Sequence, residues 1–209
     1  MENLPKNEHL KFDLYKAVVI GVSAGGLNAL KQVLALMPAG FKLPVIIVQH
    51  LHPDQDHSMV EILDRCSALR VKEAEEKEPV APGLVYLAPP NYHLLIELDG
   101  TFSLSIDAKV NFSRPSIDVL FESAADAYCP GLIGIILTGA SSDGAAGLRR
   151  IKDGGGMAIV QDPAGAEYSI MPSAAIEATE VDYILDLQGI GKLLAVIGRE
   201  KTRELKTQN

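Results

Sequence analysis

The chain has no tryptophan and only two cysteines in 209 residues, and phenylalanine and tyrosine together supply just 5% of it. So few cysteines exclude a disulfide-stapled scaffold, and Cys66 and Cys129 read as buried free thiols of a reducing compartment. No C-x-x-C pair occurs, which removes the common structural zinc spacings and leaves no metal site to expect from cysteine. The chain also lacks an apolar run long enough to span a bilayer, so membrane insertion is not expected. Positive charge is scarce. The 19 Lys and Arg stand against 27 Asp and Glu, for a formal net charge of −8. Binding the phosphate backbone of a nucleic acid needs clustered cations, so no nucleic-acid partner is expected. The opening "MENLPKNEHLKFDLYK" is polar and carries no hydrophobic export segment, which points to the cytoplasm.

Short apolar runs alternate with amphipathic stretches along the chain. The runs at 17–20, 45–48, 84–87, 132–137, 157–160 and 183–185 read as strands. Those at 27–36, 58–67, 116–127, 145–152, 173–177 and 190–197 read as helices. Such alternation, with nearly continuous apolar strands, predicts an α/β fold: a doubly wound, mostly parallel sheet flanked by helices, a Rossmann-like three-layer sandwich. An antiparallel hairpin breaks the rhythm at 93–97 and 101–106, turning at Asp99-Gly100, and is expected as a flap or at a sheet edge. The acidic run 73–78 reads as a solvated loop. One domain is expected over residues 16–198, between an N-terminal arm (1–15) and a charged C-terminal tail (199–209).

In open α/β sheets, ligands bind beyond the carboxyl ends of the strands. Three polar stretches fall at such ends: Gly21–Gly26, Gln49-His50 and the Thr138–Gly147 stretch. The first, Gly21-Val22-Ser23-Ala24-Gly25, matches the pattern in which small residues let a serine sit on a tight strand-to-helix turn. A phosphate loop would need Gly-Lys-Ser/Thr, and a dinucleotide fold an acid after the second strand; here that place holds His50. Neutral imidazole suits a base for a serine hydroxyl. His52 and His57 in "QHLHPDQDH" do not match the HExxH spacing and no carboxylate set joins them, so no metal is expected there. Asp143, in "ILTGASSDGAAG", could orient the His50 ring or simply cap the helix that follows it. Both readings stand on the residues alone.

The blocks "VIGVSAGG", "VIIVQHLHP", "VKEAEEKEPVAPGLVYLAPPNYHL", "FSRPSIDVLFESAA", "GIILTGASSDGAAGL" and "IVQDPAGAEYSIMPSAAI" occur in this order with short gaps. In them the chain resembles the catalytic domain of the chemotaxis protein-glutamate methylesterases, the CheB family, in a stand-alone form without a receiver domain. The resemblance implies a serine hydrolase with Ser23 as nucleophile, His50 as base and Asp143 completing the triad, and no metal or organic cofactor. It implies action on glutamate methyl esters of chemoreceptor cytoplasmic helices, with glutamine deamidation as a companion activity. A separate response regulator or other signalling protein would then supply control. Ala24 and Gly25, with Ala140 and Ser141, fall where the family forms its oxyanion pocket. Ala24 stands where threonine is usual, and Ala140-Ser141 where methionine-glycine is common. Those departures keep a second reading open, a catalytically weakened signalling or binding module of the same fold. Arg114 and His93 match family blocks and are expected as substrate contacts, although a solvated helix start and a hairpin position explain them equally well.

Overall fold

The computed structural model describes residues 14–50 and 58–198. Most of the expected N-terminal arm, the charged tail, His52 and His57 lie outside the described residues. In chain order the elements are β1 (Ala17–Val22), α1 (Gly26–Leu34), β2 (Val45–Gln49), α2 (Ser58–Cys66), β3 (Arg70–Glu73) and β4 (Leu84–Leu87). There follow β5 (His93–Ile96), β6 (Phe102–Ser105), α3 (Ile117–Tyr128), β7 (Leu132–Ile136) and α4 (Ala145–Asp153). The chain continues through β8 (Met157–Gln161), α5 (Ile170–Ala178), β9 (Tyr183–Leu185) and α6 (Leu187–Ile197).

Seven strands pair in parallel in the order β3-β4-β2-β1-β7-β8-β9. Every residue of β1, β2, β7 and β8 is buried, because helices cover both faces of the central sheet. Alternate residues serve opposite layers. Val18, Ile20, Ile47 and Ile135 pack with Leu30, Leu63 and Leu193 of α1, α2 and α6. Val19, Ile46, Val48 and Ile136 pack instead with Phe121, Leu148 and Met171 of α3, α4 and α5. From β1 the chain crosses to β2 on one side, whereas β7 leads to β8 and β9 on the other. The crevice between β1 and β7 is therefore the topological switch point of the sheet.

Of the two placements expected for the hairpin the sheet edge is ruled out, and the reading of the acidic run is corrected. The hairpin joins no edge of the main sheet: β5 and β6 form their own two-stranded sheet, with Leu94, Ile96 and Phe102 packed into the α3 layer. Backbone bonds from Lys77 N to the Phe102 carbonyl (2.8 Å) and from Phe102 N to that of Glu78 (2.9 Å) tie it to the preceding segment. The acidic run is thereby more than a solvated loop, since Glu76 accepts from Leu104 N at 2.6 Å and Lys72 bonds both Glu75 and Glu78. Strand β3 has no counterpart among the predicted strands. Its RVKE sequence is short and half exposed, so it shows no apolar run to read. Helix α6 also begins three residues before the expected 190, capped by Asp186, whose carboxylate accepts from Gly189 N at 2.6 Å.

Gly134 at the centre of β7 lets α4 lie close against the sheet. A Cβ there would stand 2.7 Å from Ile151 Cδ1 and 2.8 Å from Leu148 Cδ1. Overpacking of this kind costs about 1–3 kcal/mol. Gly134→Ala is therefore expected to lower the urea midpoint of unfolding without altering the denaturant slope, measured by circular dichroism.

Candidate active site

The register of the sheet places Ser23 and His50 side by side. Val22 is paired with Gln49, so residues 23 and 50 are the first beyond two adjacent strand ends, and His50 N donates to the Val22 carbonyl at 3.1 Å. Ser23 N in turn donates to the Thr138 carbonyl at 3.0 Å, linking the turn to the end of β7. Gly26 N closes the turn on the Ser23 carbonyl at 2.9 Å. Gly25 sits in the left-handed region (φ 76°) and leads straight into α1, a conformation that glycine adopts without a Cβ penalty. Two amide side chains brace the loops from below. Gln49 Nε2 donates to the carbonyls of both Ser23 (2.8 Å) and His50 (2.9 Å), and Gln161 Oε1 accepts from Thr138 N at 2.8 Å. Gly26 is required by this brace, since a Cβ there would collide with Gln49 Oε1.

Asp143 Oδ2 lies 2.8 Å from His50 Nε2. The carboxylate is wholly buried, at 0% exposure, yet it is surrounded by donors. Oδ2 also accepts from Ile117 N at 2.7 Å, and Oδ1 from Ser116 Oγ at 2.9 Å, Asp118 N at 3.2 Å and Asn111 Nδ2 at 3.1 Å. Residues 116–118 are the N-cap and first two residues of α3. Asp143 therefore caps α3, across the structure, and not the helix that follows it; α4 has Gly144 at its N-cap. Burial opposes its charge, but the His50 bond, the Ile117 N–H, the Asn111 amide and the imidazole charge outweigh that and hold the carboxyl down at about 2. With the carboxylate acting only as acceptor, the neutral form of His50 has its hydrogen on Nε2 and its lone pair on Nδ1.

A cleft of about 430 Å³ opens above Ser23 and is lined by Ala24, Gly25, Asn28, His50 and Glu167 among others. A second, smaller cavity of about 90 Å³ also borders His50 and is lined by Lys109, Phe112 and Arg114 among others. Of the expected pocket residues, Ala24 and Gly25 border the cleft, while Ala140 is exposed and Ser141 Oγ accepts from Asp143 N at 3.4 Å. Neither Ala140 nor Ser141 lines the cleft. Arg114 precedes α3 rather than starting it, and its Nη1 donates to the carbonyls of Ile106 (2.7 Å) and Asp107 (2.9 Å). His93 is corrected as a substrate contact. It is 1% exposed, with Nδ1 accepting from Ser116 N at 3.2 Å and Nε2 donating to the Ala108 carbonyl at 3.1 Å. The ring is an interior brace for the α3 terminus.

Three residues at the site gave no sequence signal of their role. Gln49 was legible only as a polar residue at a strand end. Glu167 reaches the cleft from the loop after β8, its carboxylate 2.8 Å from where a Gly25 Cβ would stand. Asn111 arrives from the loop after the hairpin.

A family model described as CheB methylesterase matches residues 18–194. The chain belongs to the CheB methylesterase family. It is 58% identical over 179 residues to a putative protein-glutamate methylesterase/protein-glutamine glutaminase of Leptospira interrogans, covering 86% of this chain and 93% of that protein. A protein-glutamate methylesterase/protein-glutamine glutaminase of Pseudomonas putida is 38% identical over 181 residues. That match covers 86% of this chain and 48% of the relative, about half its length. Among solved structures, the CheB methylesterase catalytic domain of Thermotoga maritima superposes with a TM-score of 0.83 at 38% identity, over 87% of this chain and 98% of that one. The doubly wound architecture is thus that of the CheB catalytic domain.

The depressed carboxyl of Asp143 has a consequence for acid stability. Its folded value of about 2 lies below the ordinary 3.8, so its contribution is complete above about pH 4 and is lost as pH falls toward 2. Asp143→Asn is expected to lower the urea midpoint at pH 7 and to flatten the further loss between pH 4 and 2.5, read by fluorescence-independent circular dichroism.

Proposed function

We propose that this protein is a serine hydrolase that removes methyl esters from glutamate side chains on the cytoplasmic helices of chemoreceptors, and that it deamidates glutamine at such positions. The observation carrying the reading is the His50–Asp143 bond at 2.8 Å beside a cleft lined by both Ser23 and His50. The Leptospira and Pseudomonas relatives, named as protein-glutamate methylesterases and protein-glutamine glutaminases, supply the substrate class.

In the proposed reaction Ser23 Oγ attacks the ester carbonyl and gives its proton to His50. The charge that forms on the carbonyl oxygen is met by backbone N–H groups at the amino end of α1, around Ala24 and Gly25, where the helix dipole is positive. As the tetrahedral intermediate collapses, the imidazolium returns the proton to the leaving methoxide, and methanol departs. Water then attacks the acyl-enzyme, His50 takes its proton and passes it to Ser23 Oγ, and a free glutamate carboxylate is released. For glutamine the leaving group is ammonia. Asp143 remains ionised throughout and stabilises the imidazolium. No step calls on a metal or organic cofactor.

Ala24 bears on the alternative of a weakened module. Its carbonyl accepts from Thr138 Oγ1 at 2.9 Å, a backbone contact that its side chain does not make. Replacing the family's usual threonine leaves that anchor in place, which favours turnover. We further assign the catalytic unit to residues 16–198, place the protein in the cytoplasm, and give Arg114 a place beside the substrate through the cavity it shares with His50. Among the described residues no helix is long and apolar enough to cross a membrane. A separate signalling protein is the proposed regulator.

Methylated receptor membranes bearing a labelled methyl group provide the assay. The wild-type chain should release methanol, and Ser23→Ala should reduce the rate by on the order of a thousandfold or more. Unchanged release by Ser23→Ala would refute the nucleophile assignment, and no release by the wild type would favour the weakened module.

A further inference from the structure

Residues 110–113 form a tight turn closed by reciprocal backbone bonds, Val110 N to the Ser113 carbonyl at 3.2 Å and Ser113 N to that of Val110 at 2.9 Å. Its central residues, Asn111 (φ 49°) and Phe112 (φ 63°), both lie in the left-handed region. That places the turn in the class dominated by Gly, Asn and Asp, with Asn111 well suited and Phe112 strained. Phe112 is 96% exposed, so burial of its ring does not compensate the strain. Asn111 is solvent-exposed, but its side-chain amide turns toward the buried carboxylates. Its Nδ2 reaches Asp118 Oδ2 at 2.8 Å and Asp143 Oδ1 at 3.1 Å, one amide hydrogen for each carboxylate.

Those carboxylates belong to an exchange between two helices. Asp143, just before α4, accepts from the N–H groups of Ile117 and Asp118 at the start of α3. Asp118, in the first turn of α3, accepts from Gly147 N in the first turn of α4 at 2.7 Å. Capping alone would be served by neutral serine or asparagine side chains. Two acids with 6% and 0% exposure, whose carboxylates share the Asn111 amide, add like-charge repulsion to desolvation. Such a cost is expected where the charge serves chemistry.

We propose that Asn111 and Asp118 are positioning residues for the reaction. Asn111 clamps Oδ1 of Asp143 so that Oδ2 faces His50, and Asp118 adds a second negative charge behind the imidazolium that forms during turnover. The proposal rests on the Ser23-His50-Asp143 reading above. The titratable and charged groups facing this layer are Glu122 on α3, His93 on β5, His50 at the end of β2, and Lys109 and Arg114 in the small cavity beside His50. Burial first, and then the charge of Asp143, raise the Asp118 carboxyl to about 6 against the Gly147 N–H; both its oxygens accept, Oδ1 from Gly147 N and Oδ2 from Asn111 Nδ2, which favours the ionised form.

The test is steady-state demethylation by the full-length chain against pH, with Asn111→Gly, Asp118→Asn and Ser23→Ala compared to wild type. Asn111→Gly keeps the left-handed backbone accessible and removes only the amide. It should lower kcat about tenfold, a change in barrier of about 1.4 kcal/mol, with KM nearly constant. Because the two carboxylates are then less neutralised, the acid limb of kcat/KM should move to higher pH. Asp118→Asn removes a negative charge, so the limb should move to lower pH. These opposite shifts are the signature of the proposal. Wild-type profiles in either variant, or loss of kcat in both with the limb unmoved, would overturn it as mere helix packing. Full turnover by Ser23→Ala would overturn the underlying reading and the proposal with it, whereas an inactive Ser23→Ala beside a wild-type Asn111→Gly profile would overturn the positioning role alone.

Discussion

The carboxylate of Asp143 is the point on which the candidate site is built. It is wholly buried, and a charge in that position is tolerable because five donors converge on it. Three of those donors are the Ser116 hydroxyl and the first N–H groups of α3, where the helix dipole also favours an anion. The fourth is Asn111 and the fifth is His50. Meeting the electrostatic demand of one side chain thus fixes a helix terminus, a loop and an imidazole relative to one another.

Close packing lets that arrangement sit against the sheet. Ile117, whose N–H meets Asp143, lies where Cβ atoms on Gly21 or Gly144 would be, 2.4 Å and 2.6 Å from its Cγ2. The small residues of the first turn are therefore needed on two sides: Gly25 for its left-handed backbone, and Gly21 for the approach of α3. In the reading adopted here the same approach brings the carboxylate to the histidine. Fold stability and the chemistry share atoms, so residues of this layer are expected to resist separation into structural and functional classes.

Family membership and geometry bear on different parts of the conclusion. The matched family model and the relatives identify the kind of protein and the class of substrate named for those relatives. The coordinates supply which side chains meet. His93 illustrates the difference: it sits in a matching block, yet its ring is interior and engaged at both nitrogens. Glu167 illustrates the converse, a residue with no local signal whose carboxylate borders the cleft.

The alternation of apolar strands and amphipathic helices was enough to determine a parallel sheet covered on both faces, because strand and helix periods are local properties. Strand ends expected at 20 and 48 then pointed to Ser23 and His50 as candidates, since ligand sites in such sheets gather at carboxyl ends. The edge strand β3 and the isolation of the hairpin escaped, the first for want of an apolar run and the second because sheet partnership is a long-range choice. Which helix Asp143 would cap was decided only in three dimensions: the local rule favours the helix after it, while its partners lie 25 to 27 residues earlier. Asn111 was invisible for a related reason, being followed by Phe112 rather than the glycine that marks a left-handed turn. Periodicity is written in neighbours along the chain; the balance of buried charge is settled among residues that only folding brings together.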